Sequence, residues 1–80
     1  MKLTIEEIID YILNQPQDII FHYNGKEGYI FPFYVDGKLE AYMRFEDYET
    51  PDFNDIDEIM NFKFIEGKSL NEVGEDIIFF

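Results

Sequence analysis

Cysteine is absent from this chain, and the residues that most catalytic sites require are scarce. Without thiols the protein can form neither disulfides nor thiolate metal sites, so packing alone must hold the fold, as suits a cytoplasmic protein. His22 and Ser69 are the single histidine and the single serine. Because neither has a catalytic partner near it in sequence, we expect a strand histidine with an ordinary hydrogen bond and a serine that caps a helix. The sequence therefore predicts no catalytic residues and a protein that is not an enzyme.

A glycine-rich phosphate loop and a regular calcium loop are also missing from the sequence. Gly25 and Gly28 are assigned to a predicted hairpin turn rather than to a phosphate cradle. Residues 52–58 are rich in acids, but an EF-hand loop needs an oxygen ligand at its fifth position and glycine at its sixth. This chain has Ile56 and Asp57 there. We therefore expect no cofactor and no dedicated metal site.

Basic residues are also few. The 80 residues contain six basic and eighteen acidic side chains, and their formal net charge is -12. A field of this sign disfavours direct binding to nucleic acid or to an anionic membrane and favours a basic protein surface as partner. Acidic residues at Glu6, Glu7 and Asp10 interrupt the N-terminal apolar residues. The N-terminus therefore predicts neither a signal peptide nor a membrane span, and we expect a cytoplasmic protein.

Apolar and aromatic residues are plentiful, with nine Phe and six Tyr in a chain that is 46% hydrophobic. Each buried aromatic side chain removes roughly 150–250 Å² from water, so 80 residues can form a core. We expect one domain spanning residues 1–80. Its first element is a helix, because five apolar residues share one helical face and Thr4 and Glu7 form a capping box before them. The face consists of Ile5, Ile8, Ile9, Ile12 and Leu13. Asn14-Gln15-Pro16 predicts its end.

The apolar period then changes to two in three segments, residues 19–23, 29–35 and 39–45. Asn24-Gly25 and Asp36-Gly37 separate them and favour tight hairpin turns, so the pattern predicts an antiparallel meander. Pro32 lacks an amide hydrogen, and we expect a bulge or break there. Alternation puts one apolar set on the face covered by the helix: Tyr29, Phe31, Phe33, Val35, Leu39, Ala41, Met43 and Phe45. The opposite, partly open face is predicted to carry Ile30, Tyr34, Glu40, Tyr42 and Arg44.

Short elements are predicted in the C-terminal half. A second helix is expected to start at Asp52 or Thr50-Pro51, and a fourth short strand at residues 62–65. Ser69 and Glu72 form a second capping box, after which the helix is expected to end near Gly74 and leave residues 77–80 extended. The predicted fold class is α+β: an N-terminal helix packed on a three- to four-stranded antiparallel sheet, with one or two short C-terminal helices.

The segment from Glu46 to Glu58 is the densest concentration of charge, with seven acids and no base among thirteen residues. Such a segment is either a solvated face that keeps an aromatic-rich protein soluble, or a mimic of the phosphate array of nucleic acid. Tyr48 and Phe53 lie within it and are candidate aromatic anchors. The predicted partner-binding residues are Glu46, Asp47, Tyr48, Glu49, Asp52, Phe53, Asp55, Asp57 and Glu58.

Two stretches, Tyr23-Asn24-Gly25-Lys26 as a hairpin turn and residues 64–73 near the end, together with the helix-first layout, resemble the small acidic proteins of low-GC Gram-positive bacteria and their phages. The chain resembles that broad group over about a fifth of its length. The resemblance implies context rather than any site, because members include anti-CRISPR and DNA-mimic inhibitors beside many proteins of unknown role.

Two functional hypotheses follow from these observations. In the first, the protein is a non-enzymatic binding module, of the type of a phage or mobile-element inhibitor, that occupies the basic groove of a nucleic-acid-binding protein. In the second, it is a small homo-oligomeric structural or assembly protein whose acids serve only solubility. The second hypothesis places the contact on Ile30, Tyr34, Tyr42, Phe79 and Phe80. The expected state is accordingly a monomer or a homodimer.

Overall fold

The structure, a computed structural model, describes residues 1–14 and 17–80. The described elements, in chain order, are α1 (Ile5–Asn14), β1 (Ile19–Tyr23), β2 (Lys26–Val35), β3 (Lys38–Phe45), β4 (Tyr48–Glu49), α2 (Ile56–Asn61), α3 (Leu70–Val73), a 3-10 turn (Gly74–Asp76) and β5 (Ile78–Phe79). An N-terminal helix, an antiparallel sheet and short C-terminal helices make this an α+β fold, as predicted.

The sheet of the described residues has five strands in the order β4-β3-β2-β1-β5, and every neighbouring pair is antiparallel. Both predicted hairpins are confirmed. Asn24 and Gly25 have φ angles of 52° and 75°, and Asp36 and Gly37 have 52° and 77°. Positive φ at both central residues matches the right-handed twist of the flanking strands, which is why these dipeptides make two-residue turns.

Two very short strands raise the strand number above the predicted three to four. β5 comes from the C-terminal tail, which the sequence correctly predicts to be extended, and it pairs with β1 through Phe21 and Phe79. The amide of Phe79 also donates to the carbonyl of Met1 at 2.7 Å, so the N-terminus lies along the outer side of β5. β4 pairs with the end of β3 at the opposite edge.

The fourth strand predicted at residues 62–65 is wrong. Ile65 makes only an isolated bridge to Lys68, closed by a turn in which Glu66 and Gly67 have φ angles of 54° and 78°. A short apolar run does not by itself distinguish a strand from a buried loop.

The helix ends follow the predicted capping chemistry. In α1 the Thr4 amide donates to the Glu7 carboxylate at 2.9 Å, and the Glu7 amide donates to the Thr4 hydroxyl at 3.2 Å. The predicted stop falls partly on Gln15 and Pro16, which lie outside the described residues. Ser69 and Glu72 form the same reciprocal pair at α3. No helix within residues 1–14 or 17–80 has the length and apolar character needed to cross a bilayer.

The core lies on one side of the sheet, where buried side chains from α1, α2 and α3 meet alternate strand residues. Ala41, Met43 and Phe45 of β3 face the core, as predicted. In β2 the predicted faces are reversed, because Ile30 is fully buried while Phe31 and Phe33 stay partly exposed. Both alternating sets of β2 are apolar, so alternation alone cannot assign its faces.

Pro32 causes no break, contrary to the prediction, and β2 runs continuously from Lys26 to Val35. The amide and the carbonyl of its cross-strand neighbour Ala41 both hydrogen-bond to Phe53, on the side of β3 away from β2. Pro32 therefore occupies a non-hydrogen-bonded pair, and its nitrogen points away from β3. The pairing of β1 with β2 ends two residues earlier, at Ile30. The missing amide hydrogen consequently removes no ladder bond.

Gly28 lies inside β2, not in the hairpin turn to which the sequence assigned it. Its cross-strand neighbour is Phe21, whose ring rests on the Gly28 backbone. A Cβ atom at position 28 would lie only 2.2 Å from Cζ of that ring. The ring is fully buried and has Phe45, Phe64 and Phe79 at centroid distances of 6.2, 6.3 and 6.0 Å. Glycine is thus required here by close packing.

We expect Gly28→Ala to destabilise the protein by about 2 kcal/mol, since the added methyl group overpacks a ring that its neighbours hold in place. Denaturant unfolding monitored by circular dichroism measures the change. Phe21→Leu makes room for the methyl group, so the same Gly28→Ala change should cost less in that background. Equal costs in the two backgrounds would show that the clash with Phe21 is not the cause.

Candidate functional site

The seven clustered acids follow the outer side of β3 and then enter α2. We call this set the acidic edge: Glu46, Asp47, Glu49, Asp52, Asp55, Asp57 and Glu58. Its first two members form the turn between β3 and β4, the third is in β4, and the next two precede α2, which holds the last two. The acidic segment is therefore neither one helix nor one loop.

Backbone hydrogen bonds hold this segment against the sheet. The amide of Ala41 donates to the carbonyl of Phe53 at 2.8 Å, and the amide of Phe53 donates back at 2.7 Å. Between these bonds and β4 lies Thr50, which is buried and whose hydroxyl accepts a 2.9 Å hydrogen bond from the amide of Met43. The acidic edge consequently rests on a fixed extended backbone.

The last part of the acidic edge begins α2, which starts later than the predicted Asp52. Asp55 is the N-cap, and its carboxylate accepts a hydrogen bond of 2.8 Å from the amide of Asp57. Asp57 and Glu58 occupy the first helical turn. Negative charge is favourable there because the first amides of a helix are unpaired and carry partial positive charge. Capping thus explains part of the local acid density.

All seven acidic side chains are exposed. Among residues 1–14 and 17–80, none of them takes part in an ion pair, since the ion pairs there join His22 to Glu27, Lys26 to Glu66 and Lys63 to Glu72. Two cations lie near the acidic edge without forming an ion pair with it. Arg44 is the cross-strand neighbour of Glu49. Glu66 and, to a smaller extent, Glu46 raise the pKa of Lys26. The charge of the acidic edge is therefore only partly compensated.

The two predicted anchors, Tyr48 and Phe53, both contact Phe62, a residue that was not predicted to belong to the site. Its ring is stacked parallel to that of Tyr48 at a centroid distance of 6.5 Å and packs on that of Phe53 at 4.9 Å. Tyr48 remains 50% exposed. The three rings form a surface aromatic cluster next to the acidic edge, which only the tertiary fold reveals, since Phe62 follows α2.

A second surface is the side of the sheet away from the core. We call it the open face, and its members are Ile20, His22, Glu27, Tyr29, Phe31, Phe33, Val35, Lys38, Glu40, Tyr42, Arg44, Glu49, Ile78 and Phe80. Ile20, Ile78 and Phe80 are 38%, 44% and 64% exposed. Exposed apolar surface of this extent commonly marks an interaction site.

An aromatic row crosses the middle of the open face. The ring of Phe31 is stacked on that of Tyr29 at 5.5 Å and on that of Tyr42 at 4.7 Å. At the β5 end of the face, the rings of His22 and Phe80 meet edge to face at 4.6 Å. These contacts place an apolar centre between charged residues at both ends of β3.

The open face differs from the surface on which the homo-oligomer hypothesis placed its contact. Tyr42 and Phe80 do belong to it. Ile30 and Phe79 are instead buried in the core, and the hydroxyl of Tyr34 donates to the carbonyl of Leu13 at the end of α1. Three of the five predicted contact residues therefore lie on the other side of the sheet.

A polar cluster on the open face involves the single histidine. His22 Nε2 lies 3.3 Å from the carboxylate of Glu27, and the Tyr29 hydroxyl donates to the same carboxylate. These hydrogen bonds, the one from Tyr29 first, hold the pKa of Glu27 below its usual range, and Glu27 in turn raises the pKa of Tyr29. The hairpin brings Glu27 to His22, a contact that a search of sequence neighbours missed.

The described residues form a shallow groove and bring no metal-binding set of side chains together. The groove has a volume of about 280 Å³ and lies beside α1, lined by Met1, Leu3, Glu7, Asp10, Tyr11 and Asn14. Its volume is below the 300–1,000 Å³ that is typical of ligand pockets. Within residues 1–14 and 17–80, no three His, Asp or Glu side chains converge as a metal site would require.

No protein-family model, no curated protein and no solved structure matches this chain. Function is therefore inferred from the two surfaces themselves.

We expect Tyr29→Phe to raise the pKa of Glu27 toward its usual range, because the strongest hydrogen bond to its carboxylate is lost. A lowered pKa in the folded state means that Glu27 stabilises the fold above its unfolded pKa and that this stability is lost as pH falls through the folded pKa. Side-chain carboxyl NMR measures the titration. Glu72, whose pKa is lowered chiefly by Lys63, is the internal control. An unchanged Glu27 titration would contradict this assignment.

Proposed function

We propose that the protein is a non-catalytic binding module that presents its acidic edge to a basic protein surface. One observation carries the proposal: seven exposed carboxylates follow the outer side of β3 and the start of α2, and none of them forms an ion pair within the described residues. Unpaired charges of one sign steer a complementary partner and raise its association rate. The net charge of -12 extends this attraction beyond the contact itself.

The aromatic cluster supports a protein partner in particular. Tyr48, Phe53 and Phe62 lie next to the acids, and Tyr48 is half exposed. Charges alone contribute little at an exposed interface, whereas aromatic side chains commonly supply the central contacts. A basic surface with arginine could stack a guanidinium group on the exposed ring while other cations meet the carboxylates.

The most specific form of the proposal is occupation of the basic groove of a nucleic-acid-binding protein. Such a groove is complementary to duplex DNA, which carries one negative charge per roughly 1.7 Å of axis. The acidic edge holds its acids on a hydrogen-bonded backbone and a capped helix, so they are displayed from a fixed scaffold. A phage or mobile-element inhibitor that mimics DNA would act in this manner.

An affinity capture from bacterial lysate tests the proposal directly. The tagged protein is incubated with lysate and washed at low and at high salt, and bound proteins are identified by mass spectrometry. We expect one nucleic-acid-binding protein to be enriched at low salt and lost at high salt, because exposed charges are screened. The proposal would be contradicted if the enriched protein stayed bound at high salt, or if no basic protein were enriched.

Charge reversal locates the contact once a partner is known. We expect Asp47→Lys, Asp52→Lys and Glu58→Lys together to weaken binding at least about tenfold, mainly by slowing association. The matched control reverses three exposed acids elsewhere, Glu6, Glu75 and Asp76, and so alters net charge equally. Surface plasmon resonance measures both variants. If the two variants lose affinity equally, net charge rather than the acidic edge is responsible.

A further inference from the structure

The open face has an electrostatic character unlike the rest of the molecule. It carries two basic residues, Lys38 and Arg44, and three acids, Glu27, Glu40 and Glu49, beside His22. The face is thus nearly neutral, although the whole chain has a net charge of -12. A basic partner would therefore be attracted to the acidic edge rather than to the open face. This face instead suits a surface that is itself aromatic and nearly neutral.

The charges of the open face are also arranged around its centre. In the register of β2 and β3, Phe31 lies opposite Tyr42. Arg44 lies two residues to one side of Tyr42 and Glu40 two residues to the other. Opposite charges at equal distances from an aromatic centre make the face complementary to a copy of itself turned end for end.

From this self-complementarity we infer that the open face binds a second copy of this chain, forming a two-layer homodimer of face-to-face sheets. A two-fold axis that crosses the strands at Phe31 sets each β3 over the partner's β3 in the reverse direction. Arg44 then lies over Glu40 of the partner subunit. Tyr29 likewise lies over Phe33 of the partner subunit, so aromatic rings meet rings.

The area of the face is sufficient for a modest dimer. Five strands about 4.8 Å apart are about 24 Å wide, and the eight residues of β3 extend about 27 Å, which gives at most about 650 Å² of projected face. A standard interface buries about 800 Å² per partner, and weak ones bury less. The face is therefore large enough for an interface of the weak class.

Sedimentation equilibrium of the full chain, from micromolar to millimolar concentration, tests the inference together with concentration-dependent amide NMR shifts. We expect a monomer–dimer equilibrium in which shifts change on β1, β2 and β3 at open-face residues. Added salt should strengthen it, because salt screens the repulsion between two chains of net charge -12. A monomer at all concentrations would overturn the inference, and so would shift changes confined to the acidic edge.

Variants supply a second test. Phe31→Thr should weaken association about tenfold or more, whereas Tyr48→Thr, which alters an exposed ring off the face, should not. If Phe31→Thr fails to fold by circular dichroism, Ile78→Lys at the exposed margin of the face takes its place. Equal dimerisation of the face variant and the Tyr48→Thr control would overturn the inference.

A charge exchange tests the arrangement of the two copies. Arg44→Glu and Glu40→Arg should each weaken the dimer, because each puts like charges together across the two-fold axis. The double variant restores opposite charges and should recover the affinity of the original chain. If the double variant is no tighter than the single variants, the proposed pairing of Arg44 with Glu40 of the partner subunit is overturned.

Discussion

The packing of the Phe21 ring on the Gly28 backbone is the contact on which the rest of the structure depends. Because Gly28 has no Cβ, the ring lies directly over β2 and reaches Phe45 of β3, Phe64 and Phe79. One side chain thereby joins the hairpins, the loop after α2 and the C-terminal strand. Phe21 and Gly28 are both buried on the core side of the sheet.

The segment that carries the acidic edge protects the sheet edge opposite β5. The outer side of β3 would expose unpaired backbone groups, and such edges recruit other strands. Residues 48–53 cover it with hydrogen bonds, and the acids around them repel further strands. The same charges that we propose to bind a basic partner therefore also protect the edge. Their density is explained in part by this protection and by the capping of α2.

Local chemistry made much of the fold predictable, and tertiary contacts account for the rest. Capping boxes, glycine turns and a clear helical period act within a few residues, so α1, both hairpins and α3 follow from the sequence. The predicted faces of β2 are wrong, although the turn register predicts the correct ones. A two-residue turn at Asp36-Gly37 pairs Val35 with Lys38 and therefore Ile30 with Met43, so these two residues lie on the same face of the sheet. In contrast, β4 and the Tyr48–Phe62 stack depend on distant partners. The acids of the candidate site could be located from sequence, but not their path along β3.

The distribution of charge between the two surfaces bears on selectivity. Most acids lie off the open face, so two copies repel each other at long range whatever their orientation. In the proposed dimer, burial of the aromatic row and the pairing of Arg44 with an opposite charge are expected to overcome that repulsion at short range. The acids thus oppose indiscriminate association of an exposed aromatic surface. Glu49 belongs to both surfaces, since it lies across from Arg44 in β4. A partner that neutralised the acidic edge would weaken this repulsion, whereas a partner that covered Glu49 would compete with the second copy for that side chain.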